Sequence, residues 1–378
     1  MNLGFDAKRA FHNATGLGNY SRDVLRLLHA HAPEHQLFGY DGRPGPIAFD
    51  PGERFRSRRP STALGRAFPS VWRQGGIVRD LRRDGIALFH GLSGELPLGI
   101  ESSGIASVVT VHDLIFERRP ALYPVADRWI FRWKAKSAAR RADLVVAASE
   151  QTLRDLVELY AIPAEKIRVV YQGCNEAFRA AIPAERLAEV ARAWSLPSRF
   201  VLSVGTIERR KNLLLAVRAV ERIPGLSLVA VGRPTGYARE VETYLASRGL
   251  AGRVRMLRDV PLEDLAAMYR LAAALVYPSL FEGFGIPIVE ALVSGTPVVT
   301  TRGGCFAEAG GPGSAYVDPT DAEELRDVLS GILADPDRRE AMRAAGLAHA
   351  RRFAGGEIAR ALLAVYAEAV NRAGGPVR

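Results

Sequence analysis

The sequence predicts an α/β chain of two doubly wound domains, each a parallel sheet with helices on both faces. Three observations carry this prediction. Short apolar runs alternate with amphipathic helical patterns along the whole chain, as they do where parallel strands are joined by covering helices. The alternation plays out twice, with a less regular stretch between the rounds. At 378 residues, two domains of ordinary size are the natural division.

In the first round, strands are expected at NLGFDA, HQLFGY, ALFHG, ASVVTVHD, LVVAAS and IRVVYQ, and helices at SRDVLRLLHAHA and EQTLRDLVELYA. The round ends near VVYQGCNEAFRA. The helical stretch AIPAERLAEVARAWSLPSR follows, and FVLSVG restarts the series. The boundary falls within 173–198, which sets an N-terminal domain at 1–175 and a C-terminal one at 176–356. Strands of the second round are FVLSVG, SLVAVG, RVRMLRDV, ALVYPS and PVVTT. Its helices are NLLLAVRAVERI, AREVETYLASRG, PLEDLAAMYRLA, IPIVEALVSG and AEELRDVLSGILA. A last helix, EIARALLAVYAEAV, ends in a loose RAGGPVR tail. Ligands of such sheets sit beyond the carboxyl ends of the strands, so a crevice between the two domains is the expected site.

Composition narrows the class. Hydrophobic residues make up 48% and charged residues 24%, the balance of a soluble globular chain. Cys174 and Cys305 are too few for a disulfide framework and match no metal spacing, so a cytoplasmic location is expected. MNLGFDAKRAFHN lacks the apolar core of a signal peptide. No run approaches the roughly 18 apolar residues of a membrane span. The net charge of +10 comes largely from arginines of the first half: Arg56, Arg58, Arg59, Arg79, Arg82, Arg83, Arg118 and Arg119. From Arg128 to Arg141, basic residues interleave with Trp129, Phe131 and Trp133. Such a face suits phosphorylated substrates or acidic lipid, and a solvated arginine-rich surface accounts for it equally. Nucleic acid is not expected, since none of the common motifs appears.

The most informative segment is EGFGIPIVE, with Glu282 and Glu290 eight positions apart. Glu282 follows the apolar run ALVYPS, in the loop past a strand's carboxyl end. Gly283 and Gly285 permit close backbone approach, and Pro287 suits the first turn of a helix. Glu290 then lies about one turn inside it. A helix N-terminus there favours an anion, and an acid deeper in can accept two hydrogen bonds from a diol such as ribose. In SVGTIERRKNLLLAV, Gly205 ends a strand and Arg209, Arg210 and Lys211 precede a helix near Asn212. Three cations at a helix start are electrostatically unfavourable without an anion, and they suit a diphosphate.

Two N-terminal motifs are weaker. In TVHDLIF, His112 and Asp113 close an apolar strand and suit a hydroxyl-rich ligand or proton passage. In TGLGNYSRDVL, Gly16 and Gly18 open a helix, so the loop could approach a phosphate. With Asp41 downstream this invites a dinucleotide reading, but Asp6 to Thr15 separate the glycines from the first strand, which the dinucleotide fingerprint does not allow. Asp335-Pro336-Asp337 is a literal D-x-D, and it falls between two helical patterns with no strand end nearby. It reads as helix punctuation, and no metal site is expected.

These elements, in this order, resemble the large retaining glycosyltransferase family 4, with its two-domain GT-B fold of Rossmann-like domains facing a central cleft. The most specific segment is PSLFEGFGIPIVEALVSGTPVV, similar to the family's E-x7-E region. SVGTIERRKN resembles its basic diphosphate loop. RAFHNATGLGNYSRDVL and TVHDLIF resemble the glycine loop and strand-end His of bacterial mannosyltransferase-like members, and RADLVVAASE a helix–strand step of their N-terminal domain. Three positions depart from the pattern: Thr206 where many members carry Arg, Arg209 where many carry Pro, and FAGGE where relatives often have Trp.

The resemblance implies roles. Glu290 would hold ribose hydroxyls of a nucleoside diphosphate sugar, and Arg210 and Lys211 its diphosphate, with Arg209 as the other candidate cation. The backbone of Gly283, Phe284 and Gly285 would lie against the phosphates and the transferred sugar. Glu282 would touch sugar hydroxyls and stabilise charge at the anomeric carbon, and His112 would reach the same sugar from the N-terminal domain. Gly16 and Gly18 would let that domain's loop close over donor or acceptor. The final helix, 357–374, would cross back onto the N-terminal domain. The activity implied is metal-independent, retaining transfer of a hexose, with mannose from GDP-mannose favoured. The acceptor implied is a surface polysaccharide, such as lipopolysaccharide, or its polyprenyl-diphosphate-linked precursor, reached by peripheral contact with the inner face of the cytoplasmic membrane. No cofactor is expected. Alternatives are a UDP-sugar transferase of the same fold, a binding subunit without turnover, and a phosphorylase or epimerase.

Overall fold

The computed structural model describes residues 1–374; the end of the RAGGPVR tail, 375–378, lies outside them. The chain divides into two units: Met1–Gly173 joined by the stretch that begins at Ala354, and Cys174–Phe353.

The first unit contains β1 (Asn2–Asp6), β2 (Gln36–Tyr40), β3 (Phe55–Arg58), β4 (Leu88–Gly91), β5 (Ala106–Val111), β6 (Leu144–Ala147) and β7 (Ile167–Val169). They form one sheet in the order β3-β2-β1-β4-β5-β6-β7, every pairing parallel. The second unit contains β8 (Phe200–Val204), β9 (Ser227–Val231), β10 (Val254–Leu257), β11 (Leu275–Tyr277), β12 (Val298–Thr301) and β13 (Ala315–Val317). Their order is β10-β9-β8-β11-β12-β13, again all parallel. Both are doubly wound sheets. The order reverses between β1 and β4 in one and between β8 and β11 in the other, where Leu202 stands opposite Leu275. Such a switch point leaves a crevice at the strands' carboxyl ends.

Burial explains the central strands. Both faces of β5, β6 and β12 are covered, and all their residues are buried, hence the unbroken Val-rich runs. The two strands absent from the sequence reading, β3 and β13, are sheet edges. FRSR of β3 carries two arginines and is half exposed, so neither alternation nor an apolar run marks it.

The helix Gly355–Ala373 buries Ile358, Leu362, Val365, Tyr366 and Ala369 against the first sheet's core. Its Tyr366 hydroxyl lies 2.7 Å from His90 Nδ1, and Glu368 pairs with Arg168 at 2.5 Å. These contacts fix the helix without the tryptophan that FAGGE lacks. The helix expected from Ser21 begins five residues earlier, at Gly16. The basic, aromatic segment forms a helix, Val125–Arg141. The D-x-D closes one helix and opens the next: Asp335 accepts from the Arg338 N–H at 2.9 Å, with Pro336 in the first turn. No helix among the described residues is long and apolar enough to cross a membrane.

Candidate active site

The switch point of the second sheet carries the strongest constellation. Past β8, Gly205 has φ 136°, a conformation open to glycine, and the chain turns through Arg209–Lys211. Asn212 follows at φ 56° and opens the helix Leu213–Glu221. Past β11, the loop runs Pro278 to Gly285. The two loops are stitched together. Leu280 N–H donates to the Arg210 carbonyl at 2.9 Å, Arg210 Nη1 to the Phe281 carbonyl at 2.9 Å, and Asn212 Nδ2 to the Pro278 carbonyl at 3.3 Å.

Glu282 is buried between these loops. Its Oε2 lies 2.6 Å from Arg210 Nη1 and its Oε1 2.7 Å from Lys211 Nζ. Lys211 Nζ also donates to the Tyr277 hydroxyl, 2.5 Å away. Burial alone would raise the Glu282 carboxyl; Lys211 and Arg210 outweigh it and hold it at about 2. Burial pushes the Lys211 ammonium down, against the pull of Glu282. Arg210 goes up, because Glu282 and Glu208 outweigh its burial. The group is thus one carboxylate held between two cations.

Beyond it, Gly285 has φ 115° and caps the helix Ile286–Val293, with Pro287 in the first turn. Ile288 Cδ1 would stand 3.2 Å from a Cβ at Gly285, so both space and dihedral ask for glycine. The Phe284 side chain is buried against Phe353 at 5.4 Å, which anchors the loop. Below it, buried Cys305 Sγ lies 3.2 Å from the Glu282 carbonyl and 3.0 Å from the Phe284 carbonyl. The thiol donates into that bend and fixes the backbone that carries Glu282. Glu290 stands one turn into the helix, and its Oε2 accepts from the buried Tyr269 hydroxyl at 2.8 Å. Sequence reasoning missed Tyr269, Tyr277 and Cys305. A buried tyrosine hydroxyl needs a partner, but only the fold says which.

Arg209 and Arg210 separate cleanly. Arg209 pairs with Glu240 on the surface and lies over the Tyr237 ring, whereas Arg210 faces Glu282.

The first unit has its own cavity at its switch point, about 250 Å³ in volume. Arg9 lines it from beyond β1, Gly94 and Glu95 from beyond β4, His112 from beyond β5, and Phe116 and Phe131 supply an aromatic wall. Arg73 joins Asp6 and Glu95 at 2.9 and 2.5 Å, and Lys134 reaches Glu95 at 3.2 Å.

His112 does not pair with Asp113. Its Nε2 lies 2.9 Å from the Leu92 carbonyl and its Nδ1 2.9 Å from Gln172 Nε2. The carbonyl requires the proton on Nε2, so Nδ1 accepts from the amide. Burial pushes the imidazole down to about 4, and it is neutral at pH 7. A ligand in the cavity reaches a His112 nitrogen only by displacing Gln172 or the Leu92 carbonyl. Asp113 instead accepts from the Ile115 N–H at 3.1 Å.

The glycine loop has a packing reason. A Cβ at Gly18 would lie 1.7 Å from the Asn13 carbonyl oxygen, whereas Gly16 faces open space. Asp41, the acid of the dinucleotide reading, is buried against His12 at 3.0 Å.

The family model for glycosyl transferases group 1 matches residues 189–349, and that for glycosyltransferase family 4 matches 14–178. The chain is 28% identical to O-antigen chain mannosyltransferase B of Escherichia coli over 362 residues, covering 90% of this chain and 92% of that one. It is 32% identical to a D-inositol 3-phosphate glycosyltransferase of Xylanimonas cellulosilytica over 304 residues, covering 76% and 73%. Among solved structures, sucrose-phosphate synthase from Thermosynechococcus elongatus superposes with a TM-score of 0.78 at 22% identity, covering 97% of this chain and 98% of that one. Anabaena HepE in complex with UDP and glucose does so with 0.74 at 16%, covering 97% and 100%. The two doubly wound sheets are those of the GT-B fold. The chain belongs to the family 4 glycosyltransferases.

Proposed function

We propose that the chain is a retaining hexosyltransferase that uses a nucleoside diphosphate sugar, with GDP-mannose favoured. It adds the sugar to a growing bacterial surface polysaccharide or a polyprenyl-diphosphate-linked oligosaccharide. The observation that carries this is the triplet Arg210–Glu282–Lys211, with Glu282 buried, at the second switch point, one loop away from Glu290 on its helix. Arg210, Lys211 and a helix N-terminus suit a diphosphate. Glu290 takes the ribose hydroxyls. Glu282, ionised throughout the physiological range, faces the sugar and the positive charge that develops at its anomeric carbon.

The step runs on one face of the sugar. The bond from the anomeric carbon to the departing phosphate oxygen breaks as the acceptor oxygen bonds to that carbon. The acceptor's proton passes to the departing phosphate. The protein contributes position and charge; no covalent intermediate is required. His112, neutral, lines the first unit's cavity, which takes the acceptor.

Mannose is supported by the relatives named O-antigen chain mannosyltransferase in Escherichia coli and Salmonella typhimurium. A UDP-sugar is the second reading, supported by the HepE complexes. Membrane contact is supported by the helix Val125–Arg141, which exposes Val125, Trp129, Ile130, Phe131 and Trp133 among its basic residues. The test is transfer from GDP-mannose to a polyprenyl-diphosphate-linked acceptor in EDTA, followed by NMR. Release of GDP with the anomeric configuration retained is expected. Inversion, or a strict need for a divalent cation, would refute the mechanism, and absence of turnover with every donor would favour a binding subunit.

A further inference from the structure

The first unit carries a second opening that the transfer reaction does not use. It is a groove of about 440 Å³ between the short helix Ala63–Ala67 and the π-helical turn Trp72–Gly76. Leu64, Phe68, Val71 and Trp72 line it, and Gly65, Gly75 and Gly76 leave parts of its wall bare. Leu64, Phe68 and Val71 are 70, 57 and 68% exposed, an apolar cluster of the kind found at interaction sites. The acid in the groove, Asp80, is already committed: it accepts from Ser61 and from Trp72 Nε1 at 2.8 Å and pairs with Arg83 at 3.0 Å. The cations are not so committed. Arg79 lines the groove, exposed, and Arg66 beside it donates to the Pro60 and Ser61 carbonyls, which leaves its charge unneutralised.

The groove continues into the aromatic face of the helix Val125–Arg141. The Leu98 N–H donates to the Gln74 carbonyl at 2.5 Å, and Gln74, Leu98 and Trp133 line one small cavity together. Trp129 and Trp133, 67 and 59% exposed, extend the band. Apolar anchors rimmed by arginine match an anionic bilayer surface, where rings lie at headgroup depth and cations meet phosphate.

We propose that the groove receives an acyl chain of an anionic phospholipid, with Arg66 and Arg79 on its phosphate, and that groove and aromatic helix form one lipid-docking surface. This rests on the membrane contact proposed above and adds a chain-binding element to it.

The test is co-sedimentation of the full chain with vesicles of phosphatidylglycerol in phosphatidylcholine, against phosphatidylcholine alone. Wild type should bind the anionic vesicles only. Phe68→Ser with Val71→Ser should weaken binding at least about tenfold, with melting temperature and nucleotide binding unchanged, as expected for exposed positions. In a Trp129→Phe/Trp133→Phe/Trp194→Phe background, which leaves Trp72 as the one tryptophan of the sequence, lipid brominated on its acyl chains should quench it. Undiminished vesicle binding by the groove variant would overturn the proposal even if the aromatic helix still binds. So would failure of wild type to bind anionic vesicles, or a vesicle-free dimer that the groove substitutions dissolve, which would make the face a contact between copies. Donor binding is scored separately, so loss of the transferase reading would not be mistaken for loss of this one.

Discussion

Glu282 Oε1 and Lys211 Nζ stand 2.7 Å apart, the carboxylate arriving from the loop after β11 and the ammonium from the loop after β8. With Arg210 on the other oxygen, the pair keeps two cations charged in a site shielded from water. Neither charge is stable there alone.

Glu282→Gln therefore leaves half-buried Lys211 without a counterion and Arg210 with Glu208 alone. A loss of about 3–5 kcal/mol is expected, read from urea or thermal melts. Inorganic pyrophosphate should recover part of it by supplying the missing negative charge. The wild-type contribution is present above the ordinary carboxyl value of 4.5 and lost as pH falls toward about 2, because the native state resists the proton that the unfolded state accepts. A variant as stable as wild type, or one indifferent to pyrophosphate, would contradict this balance.

His90 and His112 act in a different window. Burial holds His90 near 3 and His112 near 4. Both stay neutral while their unfolded counterparts protonate, so stability falls as pH drops below about 6.5. Each costs roughly 2 kcal/mol at pH 5. Urea melts at pH 7.5 and 5.0 should show the loss, and His112→Gln should remove about half of it. Equal stability at the two pH values would mean that the imidazoles are not shielded.

Arg209 and Arg210, adjacent in sequence, should differ in donor binding. Arg210→Ala is expected to weaken nucleoside diphosphate affinity by tenfold or more, since charge-assisted bonds contribute about 1.5–3 kcal/mol. Arg209→Ala, which removes a surface pair and a ring contact away from Glu282, should stay within about threefold. Isothermal titration decides it; equal losses would place both cations at the ligand.

Gly18→Ala should destabilise the fold by more than about 2 kcal/mol, since the Asn13 carbonyl lies where the new methyl must go. Gly16→Ala, with open space around it, should be neutral or slightly stabilising. Thermal melts of the two variants separate a packing glycine from a merely permissive one.

Much of this was legible in the chain. Buried parallel strands announce themselves as Val-rich runs, and Gly-x-Gly-x-Pro between two acids marks a strand-to-helix turn. The strands β3 and β13 escaped because neither carries an apolar run: FRSR has no buried residue, and AYV is three residues with only Val317 buried. His112 was found but its neighbour misled: Asp113 is next in sequence, yet the imidazole is held by Gln172, sixty positions away. Partners of that kind belong to topology. The same holds for Cys305, which the sequence marks only as one of two cysteines and the fold puts under the Glu282 loop.

The most direct measurement is calorimetric titration of GDP-mannose, GDP and UDP-glucose into wild type, Glu290→Gln and Glu290→Ala, in EDTA. Saturable binding of GDP-mannose to wild type is expected, weakened at least tenfold in both variants. Only Glu290→Ala should also lower the melting temperature, because only it strands the Tyr269 hydroxyl. Preference for UDP-glucose would keep the site and change the donor. Wild-type affinity in both variants, or no binding of any nucleotide, would contradict the assignment of this switch point as the donor site.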